Sequence, residues 1–203
     1  MDKKQLQEER VRGYFIQAAK ELLKGEGLRS ISVRNIADRA GYSYATLYNY
    51  FADVKDLIFL CVREFQEECR EFVGTESDKS ARGKEKIKAM TKAYMKYFIQ
   101  YPGTFELFFL ERFQSIANKQ HTADLICNFL DRLCSDEWEY CINRKIVTAG
   151  DAEIIKKALQ YESAGLLLFY LNRRHPASYT ECMKIADTQI DRLLDTGTKK
   201  KRK

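Results

Sequence analysis

The sequence predicts an all-α protein, with a small N-terminal helical domain followed by a larger helical one. Apolar residues recur every three or four positions along most of the 203 residues, which is the period of a helix face. Only two prolines interrupt the chain, and proline is the residue that a helix interior tolerates least. No segment alternates apolar and polar residues for long enough to predict a strand.

Four helices are predicted in the N-terminal part. The first contains an apolar stripe that begins at Val11, and it ends at the Gly25–Gly27 break. Ser32 is placed to cap a second helix over 33–40, and Gly41 permits a tight turn after it. Ser43 can cap a very short third helix over about 44–51, and Asp53 a fourth that reaches about residue 73.

Two short helices that meet at a glycine turn predict a helix-turn-helix. The apolar residues available to pack this pair against the first helix are Ile36, Ala37, Ala40, Leu47 and Phe51. A second helix held rigidly across the first can enter a DNA major groove, which is about 12 Å wide. The alternative is that the short helices only cap a helical bundle.

The exposed face of the third helix is aromatic and lacks lysine and arginine. Its residues are Tyr44, Tyr48, Asn49 and Tyr50. Phenol and amide groups can bond phosphates and base edges, and solvated tyrosines are costly unless they meet a partner. Positive charge is expected from the neighbouring residues Lys3, Lys4, Arg34, Arg39 and Lys55.

This segment closely resembles the DNA-binding domain of the tetracycline-repressor (TetR) family. The matching motifs are Ile36-Ala-Asp-Arg-Ala-Gly-Tyr-Ser43, Thr46-Leu-Tyr-Asn-Tyr-Phe51 and Lys55-Asp-Leu57. The resemblance covers about residues 9–73, and the rest of the chain is similar only in its layout of helices. It implies a ligand-responsive, non-enzymatic regulator of transcription, most often a repressor, that binds palindromic operator DNA as a dimer.

The resemblance also implies which residues contact DNA. They are Arg34, Tyr44, Ala45, Thr46, Tyr48, Asn49 and Tyr50. The predicted DNA-binding set also includes the helix caps Ser32 and Ser43 and the nearby cation Lys55. The sequence departs from the family pattern at Ala52 and Val54, where lysine is usual, and Lys55 is the nearest cation that can replace them. An interaction protein with weak or lost DNA binding therefore stays as an alternative.

The C-terminal part follows a polar stretch from Gly74 to Gly83. Helices are predicted at about 84–101, 104–116, 122–146, 152–173 and 178–195. The expected organisation is a DNA-binding domain over 1–52, a connecting helix over 53–73, a ligand-binding and dimerisation domain over 74–196, and a basic disordered tail over 197–203. The net charge of +6 includes five charges from residues 199–203, so the charge alone does not indicate a partner.

The helix over 152–173 is apolar on nearly every side from Ala164 to Leu171. Such a helix must be buried on every side, either within one chain or against a second copy. The helix over 178–195 also carries an apolar stripe, at Tyr179, Met183, Ala186, Ile190 and Leu193. Periodicity leaves both arrangements open, and the resemblance favours a homodimer through these two helices.

Aromatic residues crowd the segment 94–113, and aromatic stripes at helical spacing are usually core. The resemblance implies a small-molecule pocket in this part of the chain, and the composition then suggests a flat, aromatic or apolar effector. The candidate lining residues are Tyr94, Phe98, Phe108, Trp138 and Tyr161.

The six cysteines include no C-x-x-C pair, and only two histidines accompany them, so neither a metal nor a cofactor is predicted. Cys127, Cys134 and Cys141 lie seven residues apart on one helix face, where core packing is favoured over a redox sensor. No nucleophile motif or phosphate loop indicates an enzyme. Neither a signal sequence nor an apolar run of bilayer length is evident, so a cytoplasmic location is expected.

Overall fold

The computed structural model describes residues 2–110 and 124–196, and over these residues the predicted all-α class is confirmed, without a strand. The α-helices are α1 (Lys3–Glu26), α2 (Val33–Ala40), α3 (Tyr44–Tyr48), α4 (Val54–Ser77), α5 (Lys84–Gln100), α6 (Pro102–Phe105), α7 (Phe129–Leu133), α8 (Ser135–Asn143), α9 (Ala149–Arg173) and α10 (Tyr179–Thr196). A 3₁₀ turn, Leu28–Ser30, follows α1, and a π-helical turn, Glu106–Leu110, follows α6. The predicted tail over 197–203 lies outside the described residues.

The described residues form two compact units. One runs up to Glu68 and resumes at Tyr101, whereas the other comprises Cys69–Gln100 and the chain from Asp124 onward. The segment from Tyr101 thus belongs with the N-terminal helices, although the sequence assigned it to the second domain. The physical reason is a close approach at Gly103, where an added Cβ would lie 1.8 Å from the carbonyl oxygen of Leu23.

The core of the first unit is built around α1. Phe15 is fully buried, and its ring lies 5.5 Å from that of Tyr42, 6.1 Å from Tyr50 and 6.2 Å from Phe51. Leu47 of α3 is also fully buried. One aromatic side chain of α1 therefore supports the turn before α3 and the chain that leaves it.

Several helix ends differ from the sequence prediction. Helix α1 begins at Lys3, ahead of the apolar stripe, and the backbone amide of Asp2 donates to Oε1 of Gln5 there (3.2 Å). The helix predicted over 122–146 is interrupted at Asn128, before α7, and again at Cys134, between α7 and α8. Next to this break the hydroxyl of Ser135 donates to the carbonyl of Arg132 (3.0 Å), which competes with the helical hydrogen-bond ladder.

Helices α5, α9 and α10 form much of the second unit. The Lys88 ammonium group lies 2.7 Å from Asp191 and 3.3 Å from Asp187, and Lys92 lies 2.6 Å from Asp187. Burial lowers the pKa of Lys88, but its hydrogen bonds to the two aspartates outweigh that effect and hold the pKa above its usual value. These ion pairs join α5 to α10. In the part of the chain that is described, no helix has both the length and the apolarity needed to cross a membrane.

Candidate nucleic-acid interface

The helix-turn-helix consists of α2, the turn at Gly41 and α3, and its predicted caps are confirmed. The Ser32 hydroxyl accepts from the backbone amide of Asn35, and the Ser43 hydroxyl accepts from that of Thr46, both at 3.1 Å. Gly41 has φ 76° and ψ 27°, which is the left-handed region that favours glycine. The orientation of α3 relative to α2 is therefore fixed by local sequence.

Helix α3 presents its tyrosines to solvent. Leu47 is fully buried, whereas Tyr44 is 65% exposed and Tyr48 is 53% exposed. Ala45 and Asn49 are also exposed. Of the large side chains of α3, only Leu47 packs into the core. The face that carries the tyrosines can therefore enter a DNA groove.

The predicted contact residues differ in their exposure to solvent. Tyr50 is half-buried against Phe15, and Thr46 is half-buried with its hydroxyl 2.9 Å from that of Ser43. Helix α3 ends at Tyr48, with Asn49 as its C-cap, instead of continuing to Phe51. These residues thus lie at the edges of the exposed face and not at its centre.

The cations around α3 differ in their partners. Arg39 is 2.7 Å from Glu26 and 3.9 Å from Glu21, so its charge is neutralised by α1. Lys55 is 3.7 Å from Asp53. Arg34 is exposed and makes no ion pair among the described residues. Arg34 is therefore the predicted contact residue whose charge is most available to phosphate.

Two ring contacts of α1 were not anticipated from the sequence. The Arg12 guanidinium carbon lies 5.5 Å from the centre of the Phe51 ring. The ring of Tyr14 stacks on that of Tyr42 at 6.2 Å and 23°. The sequence signal that could have indicated these two contacts is the position of Arg12 and Tyr14 near Phe15, at the borders of the buried face of α1.

The candidate effector residues are not gathered at one place. Tyr94 and Phe98 are buried in the second unit with their rings 4.9 Å apart, and Trp138 is buried in the same unit. Phe108 is buried in the first unit, and Tyr161 is 69% exposed. A cavity of about 260 Å³ in the second unit is mainly polar, and its lining includes Lys88, Lys92, Lys96, Glu76 and Glu85.

The cysteines behave as core residues. All are buried except Cys127. Burial raises the pKa of the Cys61 and Cys134 thiols to about 12 and that of Cys182 to about 11. At neutral pH these sulfurs are protonated, and the thiolate is the reactive form. Over 2–110 and 124–196, no three His, Cys, Asp or Glu residues are grouped to hold a metal ion.

We expect a thiol reagent such as DTNB to modify one cysteine of the native chain rapidly at pH 7.5, because Cys127 is exposed and the other five are buried and protonated. All six should react after denaturation. The absorbance of the released thiolate measures the number of modified cysteines. Cys127→Ser is the control that should remove the rapid phase. Rapid modification of Cys134 would support the redox alternative.

Comparison with known proteins agrees with this geometry. Residues 15–60 match the family model for bacterial regulatory proteins of the tetR family. A tetR-family transcriptional regulator from Streptomyces coelicolor has a similar structure, with a TM-score of 0.68 and 13% identity over 91% of this chain and 79% of that one. FadR from Bacillus subtilis in complex with stearoyl-CoA scores 0.70 at 17% identity, over 89% and 96% of the two chains. The ketosteroid transcriptional regulator KstR2 of Mycobacterium tuberculosis scores 0.60 at 18% identity, over 93% and 95%.

Proposed function

We propose, from the premise that this chain belongs to the TetR family of bacterial regulatory proteins, that it is a dimeric, effector-responsive repressor of transcription that binds a palindromic operator. The observation that carries the proposal is the exposure of Tyr44 and Tyr48 on a helix that is fixed by the buried Leu47. A short, rigid helix with an outward polar and aromatic face has the form of a recognition helix.

The residues of this face supply two kinds of contact. Arg34, whose exposed guanidinium group has no ion-pair partner in the described part of the chain, is assigned to phosphate or to a base edge at the start of α2. Tyr44, Ala45, Tyr48 and Asn49 face the groove, where phenol and amide groups bond bases or phosphates and a methyl group can touch thymine. Phosphate contacts position the helix, and base contacts select the sequence.

The remaining predicted residues border this face. The hydroxyls of Ser32, Ser43 and Thr46 first stabilise the helix ends, and their exposed edges can also donate to phosphate. Tyr50 and Lys55 follow α3, where a phenol and an ammonium group can reach the adjoining backbone. We assign these residues to backbone positioning.

Dimerisation is supported by an apolar stripe that α9 leaves exposed. Ile154 is 70% exposed, Tyr161 69% and Leu168 40%, and these residues are seven apart and so share one helix face. Phe169, beside them, is 55% exposed. Water contact with so many large apolar groups on one face is unfavourable, and a second copy that presents the same stripe removes it.

The contribution of α10 to the dimer is smaller than its sequence pattern suggests. Cys182, Ala186, Ile190 and Leu194 are buried within the chain, whereas Tyr179 at its first turn is 45% exposed. The stripe of α9, with Tyr179 of α10, is therefore the surface that we assign to the second copy.

The effector that we propose is an apolar or aromatic small molecule. FadR was solved with stearoyl-CoA, and KstR2 is described as a ketosteroid regulator. The stearoyl chain of the first molecule and the steroid ring system of the second are both large apolar bodies, although the coenzyme A part of stearoyl-CoA is polar and charged. Tyr94, Phe98 and Trp138 provide a buried aromatic region in the second unit. An effector that binds one dimer geometry more tightly than another changes DNA affinity by population shift.

The test is a gel-shift titration at fixed salt with the DNA upstream of the chain's own gene. Arg34→Ala and Tyr48→Ala are expected to weaken binding by about 100-fold or more, since each direct contact is worth about 1–3 kcal/mol and a dimer carries every change twice. Circular dichroism should show unchanged helicity, because both side chains are exposed.

Arg63→Ala is the matched control, since Arg63 is exposed on α4 in the same unit and outside α2 and α3. It should bind DNA like the wild type. Wild-type affinity for both Arg34→Ala and Tyr48→Ala would contradict the proposed interface, and a wild-type chain that binds no duplex at any salt concentration would contradict the function.

A further inference from the structure

We propose that α1 is part of the DNA interface, with Arg12 and Tyr14 binding backbone phosphates at the two ends of α3. The inference rests on the proposed function, since it adds two contacts to the same protein–DNA complex. It concerns the sugar–phosphate backbone and not base sequence. The observations that carry it are the two ring contacts of α1 and the ion pairs that the cations of the described residues make.

Arg12 and Tyr14 of α1 lie beside the two ends of the recognition helix, α3. Phe15 lies at the centre of the buried face of α1, and Arg12 and Tyr14 lie on opposite borders of that face, because they are 200° apart around a helix with 100° per residue. Arg12 contacts Phe51, which follows α3, and Tyr14 stacks on Tyr42, which precedes it. The two side chains are thus held at opposite ends of α3.

Each contact leaves a donor for phosphate. Arg12 is exposed and makes no ion pair within 4.0 Å in the described part of the chain. A guanidinium group placed over an aromatic ring keeps its N–H groups at the edge of its plane, from which they can bind a phosphate in bidentate fashion. Tyr14 is 54% exposed, and its hydroxyl donates to phosphate while its ring is held by Tyr42.

The charge around α3 favours such a contact. The helix carries neither lysine nor arginine, and Arg39 and Lys55 are each within ion-pair distance of a carboxylate on their own protein. DNA affinity depends mainly on phosphate neutralisation by cations. Arg12 supplies a cation beside the segment that leaves α3, and Arg34 supplies one at the start of α2; neither makes an ion pair with another described residue.

The test compares Arg12→Gln with Arg63→Gln. Both remove one charge from an exposed position of the first unit, but Arg63 lies on α4 and outside α1, α2 and α3. The probes are a random-sequence 30-base-pair duplex and the DNA upstream of the chain's own gene, each titrated by fluorescence anisotropy at several salt concentrations. A phosphate contact acts on both probes, because it does not depend on base sequence.

For Arg12→Gln we expect affinity to fall about tenfold or more on both probes. The slope of log K against log salt should become shallower by about 2 per dimer, since each lost phosphate contact removes about 0.9. Arg63→Gln should change the slope by less than half as much. Tyr14→Phe, which keeps the stacked ring and removes the hydroxyl, should lower affinity several-fold. Circular dichroism should show unchanged helicity for all three variants.

A wild-type slope for Arg12→Gln, or equal losses for Arg63→Gln and Arg12→Gln, would overturn the Arg12 contact. Wild-type affinity for Tyr14→Phe would overturn the Tyr14 contact. Each of these results is obtained with a wild-type chain that binds DNA and so leaves the proposed function intact. Failure of the wild type itself to bind either probe is the separate result that removes the proposed function.

Discussion

Tyr161→Glu is expected to convert the proposed dimer into a monomer at micromolar concentration and to weaken binding to a two-half-site duplex by about 100-fold or more. Tyr161 lies at the centre of the exposed α9 stripe, between Ile154 and Leu168. A second copy that covers the stripe would bury the new carboxylate without a partner, which costs several kcal/mol. The loss of DNA affinity follows because a dimer that binds two half-sites at once has an affinity about 10²–10⁴-fold higher than that of one half-site contact alone.

Sedimentation equilibrium measures the oligomeric state, and anisotropy with the upstream duplex measures affinity. Asn143→Glu is the control, because it adds the same carboxylate at an exposed position of a different helix, α8. It should remain a dimer. Tyr161→Glu and Leu168→Glu proteins that both sediment as dimers would place the interface elsewhere.

The features that the sequence predicted well are those encoded locally. The caps at Ser32 and Ser43 depend on a hydroxyl three residues before an amide, and the turn at Gly41 depends on one residue that accepts positive φ. The outward orientation of Tyr44 and Tyr48 follows from the helical period once Leu47 is assigned to the core. The helix-turn-helix was therefore predictable without knowledge of long-range contacts.

The features that the sequence did not predict depend on contacts between distant residues. Arg39 and Arg34 are equivalent in the sequence, but only Arg39 meets Glu26 of α1, 13 residues away. Tyr161 was a candidate for an interior pocket, and its position on α9 is exposed because α9 packs through Ile155, Leu159 and Ser163 instead. Periodicity identifies which residues share a face but not which face meets a neighbour.

The sequence also did not predict that Gly103 belongs to the first unit. Its close contact there leads to a prediction about stability. Gly103→Ala is expected to destabilise the protein by about 3 kcal/mol or more and to lower its melting temperature by roughly 10 °C. The added Cβ would lie 1.8 Å from the Leu23 carbonyl oxygen and 3.0 Å from the Cα of Gly27. Both are backbone atoms, so relief requires α6 to move away from α1.

Gly74→Ala is the control for this prediction. Gly74 lies inside α4, and a Cβ there would meet nothing within 4 Å, so alanine should be neutral or stabilising by up to about 1 kcal/mol through its helix propensity. Thermal unfolding followed by circular dichroism at 222 nm compares the two variants. A Gly103→Ala protein that melts within 2 °C of the wild type would show that the contact between α6 and α1 is not close-packed, and the assignment of the segment from Tyr101 to the first unit would then lose its physical basis.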